Sequence, residues 1–255
     1  MIARTAGIQY SSRPDLALRL IALTDLTSLN DGDDATSVRA LSRLAASAPV
    51  KPAAVCIWAR WISVAVKALR NTGIPVCTVA NFPDGSAAPE AAASQITEAV
   101  AMGATEVDVV FPYRALVAGD WRAGLDLVHE CRIACGERAL LKVILETGQL
   151  GGGENIRLAA RIAIDGGAQF LKTSTGKTHP GATPEAAAIL MDVIGGTRGS
   201  RSIGFKAAGG IRSIEDAAGY LSLYEQKFGP GSASAANFRI GASGLFKELL
   251  AAAHV

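Results

Sequence analysis

The feature that most restricts this chain is an alternation. Eight short β-rich runs recur along it, at 20–24, 54–57, 76–79, 106–111, 141–145, 170–173, 204–207 and 238–241. Each is followed by a stretch whose apolar residues fall at helical spacing. Those stretches are 37–48, 62–70, 89–102, 121–135, 155–165, 184–194, 214–228 and 244–253. Several end in glycine, as at Gly73, Gly103, Gly136 and Gly166, which is a C-terminal stop signal. Two have clear starts: Thr183 precedes Pro184, and Ser213 precedes the acidic pair Glu215 and Asp216. The runs lie on average roughly 30 residues apart, the repeat of a (β/α)8 TIM barrel of this length. An open doubly wound sheet is the main alternative, but no GxGxxG follows the first run, and eight even units exceed what such a sheet needs. With 255 residues, no linker and no composition break, the chain reads as one α/β barrel domain over 1–255. The segment 229–236, GPGSASAA, reads as a loop before the eighth strand.

Hydrophobic residues make up 49% of the chain but aromatics only 5%, so the core has to be built from Ala, Val, Leu and Ile. That suits short buried parallel strands wrapped by Ala-rich helices. The net charge is only +2 and scattered, without the basic stripe of a nucleic-acid binder. No apolar run approaches the roughly 18–20 residues that span a bilayer. The first residues, MIARTAGIQYSSRPD, lack the apolar region of a signal peptide. A soluble, cytoplasmic protein is expected, with neither nucleic acid nor membrane as partner. Cys56, Cys77, Cys131 and Cys135 form no CxxC pair. They are expected to be reduced, packed thiols, zinc being the weaker alternative.

In a barrel, chemistry lies at the C-terminal ends of the strands. Charged residues there, inside or ending apolar runs, are Asp25, Asp108, Lys142, Glu146, Lys172 and Lys206. A charge in a barrel interior is costly unless paired or used. Lys172 and Lys206 fall on neighbouring strands six and seven. Repulsion and desolvation push a lysine pKa down, and a neutral amine attacks a carbonyl to form an imine. The plainer alternative is that a lysine simply pairs with Asp108 or Glu146. Alternation sets Asp108 on one strand face with Glu106, opposite Val107 and Val109. If that face is the lumen, Asp108 relays protons with Lys206. Glu146 and Asp25 close their runs.

Glycine-rich segments follow strands six, seven and eight: TSTGK at 173–177, GGIR at 209–212 and GASG at 241–244. Glycine lets backbone N–H groups approach an anion, and this end of a barrel is the usual phosphate site. Lys177 and Arg212 are placed to add charge. The GKT at 176–178 is no Walker loop, because Leu171 stands where that loop needs glycine. His129, His179 and His254 are too dispersed for a metal site.

Taken together, these segments resemble one family, deoxyribose-phosphate aldolase. The matching motifs are LTDLTSLND (23–31), VCIW (55–58), TVANFPDG (78–85) and EVDVVFPYRALVAGDW (106–121), then LKVILETGQL (141–150), FLKTSTGK (170–177), GFKAAGGIRS (204–213) and FRIGAS (238–243). They run in order from strand one to strand eight. The resemblance implies a class I aldolase that needs no metal and no cofactor. It implies Lys172 as the Schiff-base lysine, Lys206 as the second lysine and Asp108 as the acid–base carboxylate. Asp25, Thr27 and Cys56 match positions lining the same pocket. Thr175, Gly176, Lys177, Gly209, Gly210, Gly241 and Ser243 match the substrate-binding segments that hold the phosphate. Two departures stand out. Gly244 replaces a serine that some members carry, and the chain stops at AAAHV without the terminal tyrosine some members use in proton transfer.

The implied reaction is the reversible cleavage of 2-deoxyribose 5-phosphate to glyceraldehyde 3-phosphate and acetaldehyde, a step of deoxyribose phosphate catabolism. Two rivals are an imine-forming aldolase for a longer phosphosugar and a catalytically dead barrel that senses a phosphosugar. Oligomeric state is left open, although barrels of this kind often pair, here as a homodimer.

Overall fold

The computed structural model describes residues 12–197 and 203–253. His254, the chain end and most of the N-terminal stretch read for a leader lie outside the described residues. The elements are α1 (Arg13–Ala22), β1 (Thr24–Ser28), α2 (Ala35–Ser47), β2 (Ala54–Ile57), α3 (Ile62–Ala68), β3 (Val76–Ala80), α4 (Pro89–Ala101), β4 (Glu106–Val110) and α5 (Tyr113–Val117). They continue with α6 (Trp121–Cys135), β5 (Leu140–Ile144), α7 (Gly153–Asp165), β6 (Phe170–Lys172), α8 (Pro184–Gly196), β7 (Gly204–Ala208), α9 (Ile214–Phe228), β8 (Phe238–Ala242) and α10 (Leu245–Ala253). The eight strands are parallel and close in chain order into a barrel. The seam pairs Thr24 with Ile240, Asp25 with Gly241 and Leu26 with Ala242. The expected (β/α)8 architecture is the observed one.

The first run is a correction. Residues expected to start strand one instead finish α1. Ser12 caps this helix by accepting from the Asp15 N–H at 3.3 Å, with Pro14 in its first turn. Ala17, Leu20 and Ile21 then line its buried face, a helical spacing that outweighs the β propensity of Leu and Ile. Thr24 starts the strand, and its hydroxyl donates to the Leu20 carbonyl at 2.7 Å. The shift matters, because it moves Asp25 from the end of a strand to its interior.

Alternation along the strands separates two layers. Val107, Val109, Leu141, Val143, Leu171 and Phe205 join the apolar cluster that also holds the buried faces of the helices. Each fully buried Val or Leu there is worth about 1.5–3 kcal/mol. The alternate residues point into the lumen, where β4 to β8 carry charge. Gly204 opens β7 beside Phe170, and a Cβ there would run into the Phe170 ring. The guanidinium of Arg239 lies 5.6 Å from the centre of the same ring.

Candidate active site

Seven charged side chains converge inside the barrel: Asp25 from β1, Glu106 and Asp108 from β4, Lys142 from β5, Lys172 from β6, Lys206 from β7 and Arg239 from β8. Register explains the meeting, since Asp108 pairs with Lys142 and Lys172 with Lys206 across adjacent strands. Asp108 is the hub. Its Oδ2 accepts from Lys172 Nζ and from Lys206 Nζ, each at 2.8 Å, and its Oδ1 accepts from Lys142 Nζ at 2.8 Å. Lys142 also reaches Glu106 Oε2 at 2.7 Å and Asp25 Oδ2 at 3.5 Å. Lys206 forms a short ion pair with Asp25. Arg239 bridges Asp25 Oδ1 at 2.6 Å and Glu106 Oε1 at 3.0 Å.

The set therefore holds four cations, Lys142, Lys172, Lys206 and Arg239, against three carboxylates. Burial of such groups is tolerable only with this density of pairing. Burial works against the charge of Asp108, but Lys142, Lys172 and Lys206 outweigh it and hold the carboxyl well below the usual range. Burial likewise opposes the charge of Asp25, and Lys206, Lys142 and Arg239 reverse it. Lys142 and Lys206 are pulled down by burial and pushed further up by their carboxylates, Asp108 foremost. Both remain ammonium ions, so the mutual depression expected of the two strand lysines does not reach Lys206. The plainer alternative is seen in part, since both Lys172 and Lys206 pair with Asp108. Lys172 differs in two respects. Asp108 is its one carboxylate partner among the described residues, and it is 3% exposed where Lys142 and Lys206 are at 0%.

The remaining expected residues surround this cluster at different distances. The Thr27 hydroxyl donates to the Asp25 carbonyl at 2.8 Å, and Thr27 is the register partner of Cys56. Cys56 is in turn the register partner of Cys77, whose thiol donates to Asp108 Oδ1 at 3.3 Å and receives a contact from Lys142 Nζ at 3.3 Å. The neighbouring Cys77, helped by Lys206 and Lys172, holds the Cys56 thiol below its ordinary pKa, whereas burial and the proximity of Cys56 push Cys77 up. Gly241 sits beside the cluster, and a Cβ there would come within 3.1 Å of Lys206 Cε. Ser243 is exposed at the entry to α10, where its carbonyl accepts from the Phe246 N–H at 3.4 Å.

Glu146 does not join the cluster. It is fully buried just after β5 and accepts from the Thr175 hydroxyl at 2.5 Å and the Thr175 N–H at 3.3 Å. It thereby fixes the loop after β6. That loop folds onto the next one: the Ala182 N–H donates to the Gly209 carbonyl at 2.9 Å, and a Cβ on Gly176 would sit 3.6 Å from Gly209 Cα. Gly176, Gly209 and Gly210 have φ of 81°, 93° and 85°, which favours glycine. Lys177 donates to the Leu29 carbonyl at 2.7 Å, tying this loop to the one after β1. His129 lies exposed on α6, and the His179 carbonyl accepts from Gln149 at 2.8 Å.

Three members of the cluster escaped the sequence reading as site residues: Glu106, Arg239 and Cys77. Arg239 carries the same signal as the others, a charge between Phe238 and Ile240 in an apolar run. Glu106 lies one alternation from Asp108. A cavity of about 600 Å³ between α8 and α9, lined by Pro184, Tyr220 and Leu223, touches Gly210 but none of the seven charged residues.

Residues 19–223 match the model of the family described as DeoC/LacD family aldolase. Among solved structures, a provisionally assigned deoxyribose-phosphate aldolase from Toxoplasma gondii ME49 is similar with a TM-score of 0.87 and 28% identity, over 94% of this chain and 95% of that one. Another provisional assignment of this kind, from Coccidioides immitis, gives 0.80 and 28% over 91% and 86%. The deoxyribose phosphate aldolase from Aeropyrum pernix, described as tetrameric, gives 0.73 and 26% over 95% and 92%. A closed barrel with an ionic lumen, matched by a family model over most of its length, assigns this chain to the DeoC/LacD family of aldolases, and the protein is a lyase.

Proposed function

We propose that this aldolase cleaves 2-deoxy-D-ribose 5-phosphate reversibly to D-glyceraldehyde 3-phosphate and acetaldehyde through a Schiff base on Lys172. One observation carries the reading. Of three lysines around Asp108, Lys172 alone combines a single carboxylate partner with some exposure, at the C-terminal end of β6. It is the amine with the fewest ionic contacts to give up when it bonds to carbon. Lys206 and Lys142 stay charged beside it and balance the Asp108 carboxylate once Lys172 has left it.

In its neutral form Lys172 attacks C1 of the open-chain sugar, and loss of water gives an iminium. A base takes the C3 hydroxyl proton, through water linked to Asp108 and Lys206. The C2–C3 bond breaks as its electrons flow into the iminium, which serves as the electron sink that a divalent cation supplies in other aldolases. Glyceraldehyde 3-phosphate leaves, the enamine is protonated at carbon, and hydrolysis frees acetaldehyde. The phosphate is held by backbone N–H groups of Gly176, Gly209 and Gly210, by Gly241 near the end of β8 and by Ser243 at the entry to α10, with Thr175 and Lys177 shaping the rim. Asp25 positions Lys206, and Thr27 and Cys56 line the wall beneath C1 and C2. A cytoplasmic role in deoxyribose phosphate breakdown belongs to the same reading.

Borohydride reduction in the presence of acetaldehyde tests it. Intact-protein and peptide mass spectrometry should find one ethyl adduct, on Lys172. A phosphosugar sensor gives no adduct. A longer-sugar aldolase turns over fructose 1,6-bisphosphate in preference to deoxyribose 5-phosphate.

A further inference from the structure

Cys56 and Cys77 face each other across the β2–β3 seam as register partners, and both are fully buried. One ligand atom from each of Cys56, Cys77 and Asp108 lies within 4.8 Å of the other two. We propose that Cys56, Cys77 and Asp108 form a binding site for a thiophilic divalent cation of the zinc and cadmium type, which arrests the barrel by displacing Lys142 from Asp108 Oδ1 and engaging the carboxylate that Lys172 and Lys206 share.

The spacing suits a metal. Bonds of about 2.3 Å to sulfur and about 2.0 Å to oxygen in a tetrahedron set ligand atoms roughly 3.5–3.8 Å apart. Cys77 Sγ and Asp108 Oδ1 are 3.3 Å apart, so small rotations of the side chains suffice. Both thiols are free. Charge also balances. Each bound cation displaces two thiol protons, so the metal dithiolate adds no net charge to a lumen already crowded with ammonium groups. Thiolates in the donor set select soft cations over magnesium or calcium.

A second triad, Asp25, Cys77 and Glu106, has similar spacing but offers one thiol where the first offers two. Lys142 Nζ touches all three of its members, at 2.7 Å from Glu106, 3.3 Å from Cys77 and 3.5 Å from Asp25. The same ammonium holds Asp108 Oδ1 at 2.8 Å, so a metal displaces Lys142 in either place, and the pair of thiolates favours the Cys56 triad for a soft cation.

The test uses the reduced full-length chain and Cd²⁺ alone as the probe, read by its thiolate-to-metal charge-transfer absorption. The expected result is one equivalent bound, displaced by Zn²⁺ and not by Mg²⁺. Cys77→Ala and, independently, Cys56→Ser should each weaken binding by about 100-fold or more, while Cys131→Ala leaves it unchanged. If either lumen variant fails to fold, the other decides. The proposal is overturned if the wild-type chain shows no band, if both lumen variants keep it, or if Cys131→Ala removes it. The absorption does not depend on imine chemistry, so failure here is distinguishable from failure to trap an adduct on Lys172. In a companion measurement, Zn²⁺ should block any such adduct in the wild-type chain and not in Cys77→Ala.

Discussion

Leu141 and Lys142 are neighbours on one strand, as are Leu171 and Lys172, and Phe205 and Lys206, yet each pair divides between two surroundings. The first of each pair joins the apolar layer under the helices, with Leu127, Ala160 and Leu190. The second enters a lumen where seven charges neutralise one another almost fully. The thiols make the same contrast with one functional group. Cys131 and Cys135 on α6 sit in the apolar layer, and burial pushes them up to about 12 and about 11. Cys56, equally buried but beside Cys77 and near Lys206 and Lys172, moves down. Cys77, equally buried but facing Asp108, is pushed up, so burial alone does not set chemistry; what matters is which ions a buried group meets. The outer layer supplies apolar burial, and the lumen holds its charges through pairing inside that packed shell.

The largest expected effect separates the two functions of the lumen. Lys172→Leu should lower kcat by roughly 10⁴-fold or more while the thermal midpoint stays close to wild type, because it removes the surplus cation of the cluster. A large loss of stability would show that Lys172 is a structural ion pair, and the contrast would blur.

Asp108→Asn should cost about 3–5 kcal/mol of stability, measured by urea unfolding, since three ammonium groups lose their shared anion. This loss carries a pH signature. Asp25 and Asp108 have folded pKa values below their ordinary 3.8, so their stabilisation is complete above that value and fades as the pH falls towards the folded values. Lys142 and Lys206 have folded values above their ordinary 10.5, so theirs is complete below 10.5 and fades as the pH rises beyond it. Between these limits the wild-type midpoint should not vary through this cluster. Asp108→Asn should flatten the acid limb.

Leu190→Ala, in the outer layer, should cost about 2–5 kcal/mol through the cavity it leaves, with no pH signature and with kcat unchanged at temperatures where the chain is folded. A parallel fall in kcat would mean that the two layers are less separable than their contacts suggest. The smallest effect belongs to the rim. Gly210→Ala places a side chain at a φ of 85° and should raise KM for the phosphosugar by about tenfold with little change in kcat.

Most of the barrel could be read from the chain because parallel strands buried on both faces appear as short apolar runs, and a charge inside such a run stands out. Asp108, Lys142, Lys172 and Lys206 were visible for that reason. The first strand was misplaced because Leu20 and Ile21 suit a strand and a helix face equally, and only the cap at Ser12 decides between them. Helix α5 was hidden because five residues, Tyr113–Val117, are too few to show a period. Arg239 was masked by the glycines that follow it, which drew the eighth run towards phosphate binding. Cys77 gave no signal at all: a thiol reads as a small apolar residue until its neighbours are known, and Asp108 is 31 residues further along.

Closure of the seam gives the cluster a history as well as a shape. Asp25 and Arg239 are separated by 214 positions and come together only when β8 zips against β1. A growing polypeptide therefore holds Asp25 and Glu106 without their Arg239 partner until the eighth strand has been made. Nascent chains that have not yet delivered the eighth strand therefore lack a closed lumen, however much of the scaffold has formed.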